Sequence, residues 1–179
     1  IAKFIAKAAS EGRKVLIWST FVGNLLALQR LLAPFEPALI YGGTHIDERK
    51  SELERFRQSS TCHVLLSNPQ TLGEGVSLHR ECHEAIYVDR SYNAGLYLQS
   101  LDRIHRLGLP PEQETTVYVL QSEGSIDFRV DRRLEAKIDR AKPHPQILGK
   151  RALTDLRRLM QTTQDLKLDF PLETSQFLK

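Results

Sequence analysis

The chain is short of several things, and each shortage removes a class of explanation. Only Cys62 and Cys82 are cysteines among 179 residues, so a disulfide framework is excluded and a reducing compartment is expected. There is no run of 18 apolar residues and no signal-peptide pattern, so neither membrane spanning nor export is expected. C-x-x-C is missing. In the repeated Cys62–His63 and Cys82–His83 pairs, neighbours on a strand point to opposite faces, so no metal site is expected. G-x-S-x-G is absent, and with it the usual nucleophile turn. Also absent is G-x-x-x-x-G-K-[ST], the loop that cradles a nucleoside triphosphate, so any nucleotide handled here needs a partner site. The first residue is Ile1 rather than Met, which reads as the start of a fragment.

What is present fits a globular chain. Hydrophobic residues make up 41% and charged residues 26%, near the average for folded domains. At roughly 150 residues per domain, the length allows one large domain, or a domain with a helical appendage. Such a chain buries about 70% of the surface its unfolded form exposes and needs no staples. The net charge of +3 hides an uneven distribution. Residues 129–158 hold ten Lys or Arg against four acids, which leaves the remainder at −3. That basic stretch permits phosphate contacts, although charged helices are usually just solvated faces.

Short β-rich runs alternate with helical patterns as far as residue 121. Strands are predicted at 14–19, 38–41, 63–67, 85–89 and 116–120. These are mostly continuous apolar runs, as strands covered on both faces should be. Helices are predicted at 21–33, 47–57, 95–107, 125–140 and 151–161, with Leu25, Leu28, Leu31 and Leu32 showing the 3.6-residue period. The alternation predicts a parallel, doubly wound α/β sheet.

Four segments could carry chemistry. In Gln99–Gly108, QSLDRIHRLG, a continuous helix would put Gln99, Arg103 and Arg106 on one face and Leu98, Leu101, Ile104 and Leu107 on another. Paired guanidinium forks match phosphate oxygens, though by spacing alone a solvated face serves as well. Leu65–Leu78, LLSNPQTLGEGVSL, places small and polar residues beyond a strand end, where doubly wound sheets bind ligands. Gly73 and Gly75 with Asp89 only faintly match a dinucleotide fingerprint. Leu78 replaces the third glycine, five residues separate the strand from the first, and about nine remain for a crossover. WSTF at 18–21 offers hydroxyls to a phosphate or a cap to a helix. YGGTH at 41–45 precedes a helix opened by Asp47, and a plain turn with a cap accounts for it equally well.

WSTF, YGGTHIDERKSELERF, LLSNPQTLGEGVSL and QSLDRIHRLG occur in that order. Together they resemble motifs IV, IVa, V and VI of superfamily-two helicases, and DRIHRLG resembles the Swi/Snf-type DNA-dependent ATPases in particular. The resemblance covers residues 12–130. It implies a RecA-like lobe at 1–124, the second of a two-lobed motor, followed by a brace helix and C-terminal helical extension at 125–179. The first lobe would hold the P-loop and the acidic Mg²⁺ site, with ATP in the cleft between lobes. Arg103 and Arg106 would reach the β- and γ-phosphates, Arg106 as the arginine finger, with Gln99 and Asp102 supporting them. Gly73, Glu74 and Gly75 would lie near the ribose or link nucleotide to DNA. Ser19, Gly43, Thr44, Ser67 and Asn68 would approach the phosphate backbone of the tracked strand.

The resemblance implies an ATP-driven translocase or remodeller whose partners are the first lobe and double-stranded DNA, in the nucleus if eukaryotic and on the nucleoid if bacterial. Residues 1–179 alone should be inactive. Some positions depart from the motif pattern: Asn68 to Leu72 hold an extra residue, Ser77 replaces the usual Asn, and Leu109 the usual Gln. An RNA helicase lobe, or a non-catalytic RecA-like module that binds nucleic acid or protein, are the rival readings.

Overall fold

The computed structural model describes residues 1–72, 76–105, 113–121 and 126–140. The five predicted strands all form: β1 (Val15–Trp18), β2 (Ala38–Ile40), β3 (Val64–Ser67), β4 (Glu84–Tyr87) and β5 (Thr116–Val119). They make one sheet in the order β2-β3-β1-β4-β5, and every pairing is parallel. β1 and β3 are buried at all four positions, which is why VLIW and VLL run apolar rather than alternating.

Among the described residues five α-helices cover the sheet: α1 (Ala2–Ser10), α2 (Val22–Leu31), α3 (Ile46–Gln58), α4 (Ala94–Leu101) and α5 (Asp127–Arg140). Successive strand residues feed opposite layers. Leu16, Trp18, Leu65, Ala85, Tyr87 and Val117 pack with residues of α3, α4 and α5. Val15, Ile17, Val64, Leu66 and Ile86 pack with residues of α1 and α2. The chain leaves β1 by α2 on one layer to reach β2, then returns by α3 on the other to β3. That change of layer with change of direction keeps both crossovers right-handed. The result is a doubly wound RecA-like α/β fold.

Three element predictions are revised. No element is expected before residue 14, yet α1 forms: Ile1, Phe4, Ile5 and Ala8 recur at helical spacing and pack in the second layer. The predicted helix at 21–33 ends at Leu31, and Ala33–Phe35 turn as a 3₁₀ segment containing Pro34. The predicted helix at 95–107 ends at Leu101. There the amides of Arg103 and Ile104 bond to the carbonyls three residues back, Ser100 (3.3 Å) and Leu101 (3.2 Å), so the chain tightens and turns Arg103 and Ile104 into the interior. The predicted helix at 151–161 lies outside the described residues.

The repeated Cys-His pair has a structural explanation. β3 and β4 meet β1 in the same register, with Val64 and Glu84 both opposite Val15. Cys62 and Cys82 therefore stand at one level on either side of β1, about 10 Å apart at two strand spacings. That is beyond the roughly 7 Å a disulfide tolerates between Cα atoms. Both thiols are buried, and burial pushes the Cys82 thiol up to about 12. Iodoacetamide at pH 8 is therefore expected to leave both unmodified in the folded protein and to alkylate both in guanidinium. An intact-mass gain in the folded state would contradict this. His79 and His83 do stand four apart, but His79 lies in a turn, its Nδ1 2.5 Å from Ser77 Oγ. Among the described residues no group of three His, Cys, Asp or Glu could hold a metal ion, and no helix is long and apolar enough to cross a membrane.

Candidate nucleic-acid and nucleotide interface

Because all strands run parallel, their C-terminal ends meet at one edge, and WSTF, YGGTH, SNPQT and the acid after β4 all emerge there. Trp18 lies opposite Ser67 and Tyr87, the Ser19 amide donates to Ser67 O (3.2 Å), and the Val88 amide donates to Trp18 O (2.9 Å).

Asp89 organises this edge. Its Oδ1 accepts from the Thr20 amide at 2.7 Å and from the Thr20 hydroxyl. Its Oδ2 accepts from the Ser19 hydroxyl and from Asn24 Nδ2 at 3.1 Å. One carboxylate thus fixes the loop between β1 and α2 through four donors, each bond strengthened by its charge. Sequence reading weighs Asp89 only in the dinucleotide fingerprint and omits it from the site. The available signal was an acid ending one central strand beside two hydroxyls ending its neighbour.

Two of the hydroxyls assigned to phosphate contact turn inward. Ser19 is fully buried on Asp89, and Ser67, also fully buried, donates to Ile40 O at 2.6 Å and so ties β3 to β2. Asn68 is 9% exposed, and its Oδ1 accepts from the Thr71 amide at 3.2 Å, starting the loop that follows. Gly43 is exposed and Thr44 half-buried. Arg49 straps their loop by donating to Thr44 O (2.9 Å) and Gly42 O (3.1 Å), and Thr44 Oγ1 accepts from the Tyr41 amide at 3.0 Å. With those carbonyls drawn inward, the Gly42 and Gly43 amides donate to no acceptor among the described residues. A Cβ on Gly43 would stand 2.7 Å from the Tyr41 ring, so any larger residue there must displace that ring.

The QSLDRIHRLG segment begins on α4, whose first turn is capped by Asn93 Oδ1 accepting from the Leu96 amide at 3.2 Å. Gln99 and Asp102 are exposed at its end. Arg103 is only 8% exposed. Its Nε donates to Gln99 O (3.1 Å) and its Nη1 to Val76 O (2.8 Å), while its own carbonyl accepts from the Leu78 amide at 2.7 Å. Arg57 Nη2 adds a bond to Ser77 O at 2.9 Å. Arg103 therefore staples the exit of the Leu65–Leu78 segment to the end of α4 and does not share one helical face with Gln99. Arg106, Gly73, Glu74 and Gly75 lie outside the described residues.

Residues 1–108 match the helicase conserved C-terminal domain. The chain belongs to that family. Relatives include the ATP-dependent DNA helicase DDM1 of Arabidopsis thaliana, 28% identical over 141 residues, 77% of this chain and 18% of that protein. The human chromatin-remodeling ATPase INO80 is 27% identical over 142 residues, 74% of this chain and 8% of that protein. The helicase lobe thus spans less than a fifth of the length of these relatives. Its fold is that of the C-terminal part of the Fun30 ATPase domain, with a TM-score of 0.64 and 24% identity over 74% of this chain and 43% of that one. Taken together, these likenesses make it the C-terminal lobe of a Swi/Snf-type superfamily-two helicase.

Proposed function

We propose that this lobe is the second half of an ATP-driven DNA translocase or remodeller, contributing the arginine finger and part of the DNA-backbone contact. The observation that carries the reading is the gathering of WSTF, YGGTH and SNPQT at one sheet edge, with QSLDRIHRLG stapled by Arg103 to the segment that runs from it. The relatives' names, a DNA helicase and a chromatin-remodeling ATPase, supply the substrate class. In this reading the outward amides of Gly42 and Gly43, with the Thr44 hydroxyl, meet phosphate oxygens, a sequence-independent contact. Ser19, Ser67 and Asn68 shape the loops that present them.

Mg²⁺ would be held by the first lobe. Gln99, Asp102 and Arg106, with Gly73, Glu74 and Gly75, would form this lobe's wall of the ATP cleft, and closure of the lobes would bring Arg106 to the γ-phosphate. The place of action is wherever that DNA lies, the nucleus in a eukaryote.

The test is ATP turnover by the full-length protein with and without duplex DNA or RNA, beside residues 1–179 alone. Duplex DNA is expected to stimulate the full-length protein, and the lobe alone should show no turnover. Hydrolysis by the lobe alone would contradict a split site. A full-length protein inert with every nucleic acid would instead support a non-catalytic binding module.

A further inference from the structure

α5 sorts its side chains by angle. At 3.6 residues per turn, Val130, Leu134 and Ile138 form one buried stripe. Half-buried Asp131 and Glu135 border it on one side, while the exposed Arg129, Arg132, Arg133 and Lys137 share the opposite arc. No acid of residues 127–138 falls in that arc. Asp131 is engaged elsewhere: Oδ1 lies 2.8 Å from Arg90, whose side chain is 6% exposed, and Oδ2 accepts from Gln121 Nε2 at 2.6 Å.

The cationic arc also has a fixed place in the fold. The Arg133 guanidinium lies 5.4 Å from the Tyr92 ring centroid, and Lys137 Nζ donates to Tyr92 O at 2.6 Å. Tyr92 belongs to the connection from β4 to α4, three residues beyond Asp89, which holds the Ser19–Thr20 loop. The arc is therefore continuous with the strand-end edge. Arg129 to Lys137 spans about 12 Å at 1.5 Å per residue, long enough to face several phosphates at about 3.4 Å of axial rise per strand.

We infer that the outward face of α5 is a further contact for the nucleic-acid backbone, with Arg129 and Arg132 reaching phosphates and Arg133 and Lys137 anchoring the row to Tyr92. The inference rests on reading the strand-end edge as a nucleic-acid interface. A merely solvated face accounts for exposure, but not for the separation of cations from acids or for the anchoring beside that edge.

The experiment measures binding of the full-length protein to a random-sequence duplex across 50–200 mM salt. It compares wild type, the double variant Arg129→Gln/Arg132→Gln, and the charge-keeping Arg129→Lys/Arg132→Lys. Loss of two phosphate contacts is expected to make the slope of log affinity against log salt shallower by about 1.8 in the glutamine variant, at about 0.9 per contact. The lysine variant should keep the wild-type slope, and melting temperatures should agree because both positions are exposed. Wild-type binding with an unchanged slope in the glutamine variant overturns the α5 contact alone. So does lowered turnover at an unchanged slope, which assigns the row to a protein surface. No duplex binding by wild type overturns the interface reading and this inference with it.

Discussion

Replacing Arg106 by alanine in the full-length protein is expected to lower DNA-stimulated ATP turnover by about 10³–10⁵-fold, the range an arginine finger supplies, with ATP still bound. The lobe lacks a P-loop of its own, so its largest catalytic contribution is charge delivered across a cleft at the moment the γ-phosphoryl group transfers. Arg103→Ala should behave differently. Its guanidinium serves the part-buried Val76 O and Gln99 O, and losing hydrogen bonds from a charged donor there costs about 1–3 kcal/mol. For a domain of this size that is a fall of roughly 2–12 °C in melting temperature. Turnover and melting point should therefore separate the pair: Arg106→Ala loses turnover at an unchanged melting point, and Arg103→Ala loses both. Equal melting losses with small turnover losses in both would remove the finger from Arg106.

The sheet was legible because its strands are covered on both faces, and a run such as Val15–Trp18 leaves no polar position to confuse the period. α1 was less so: Ile1, Phe4, Ile5 and Ala8 carry the right spacing, but no N-terminal capping side chain announces the helix. The QSLDRIHRLG segment misled because a 3.6-residue projection assumes that the helix continues. The chain tightens after Leu101, and Arg103 adds to its local bond to Gln99 O an acceptor 27 residues away at Val76, a tertiary bond that no local period contains. The same holds for Ser19 and Ser67. Their hydroxyls look available in sequence because Asp89 and Ile40, which accept from them, become neighbours only when β4 and β2 join the sheet.

Asp89→Ala is the second change expected to have a large effect, and it acts through that edge. The substitution strips the acceptor from the Thr20 amide and hydroxyl and from Asn24 Nδ2, and leaves the buried Ser19 hydroxyl only Phe21 O at 3.2 Å. Bonds to a charged acceptor contribute about 1.5–3 kcal/mol each. Thr20 and Asn24 can regain part of that from solvent, so a net loss of about 2–4 kcal/mol is expected, or roughly 4–16 °C in melting temperature. Asp89→Asn keeps one acceptor oxygen for two of the four donors but loses the charge, so its melting temperature should fall between those of wild type and the alanine variant. Because the carboxylate holds the loop between β1 and α2 at the strand-end edge, the full-length alanine variant should also bind duplex DNA more weakly at temperatures where it remains folded. A variant that melts with wild type would show that the loop is held without Asp89. One that melts early yet binds DNA as wild type does would separate the loop from the DNA contact and leave that contact to Gly42–Thr44.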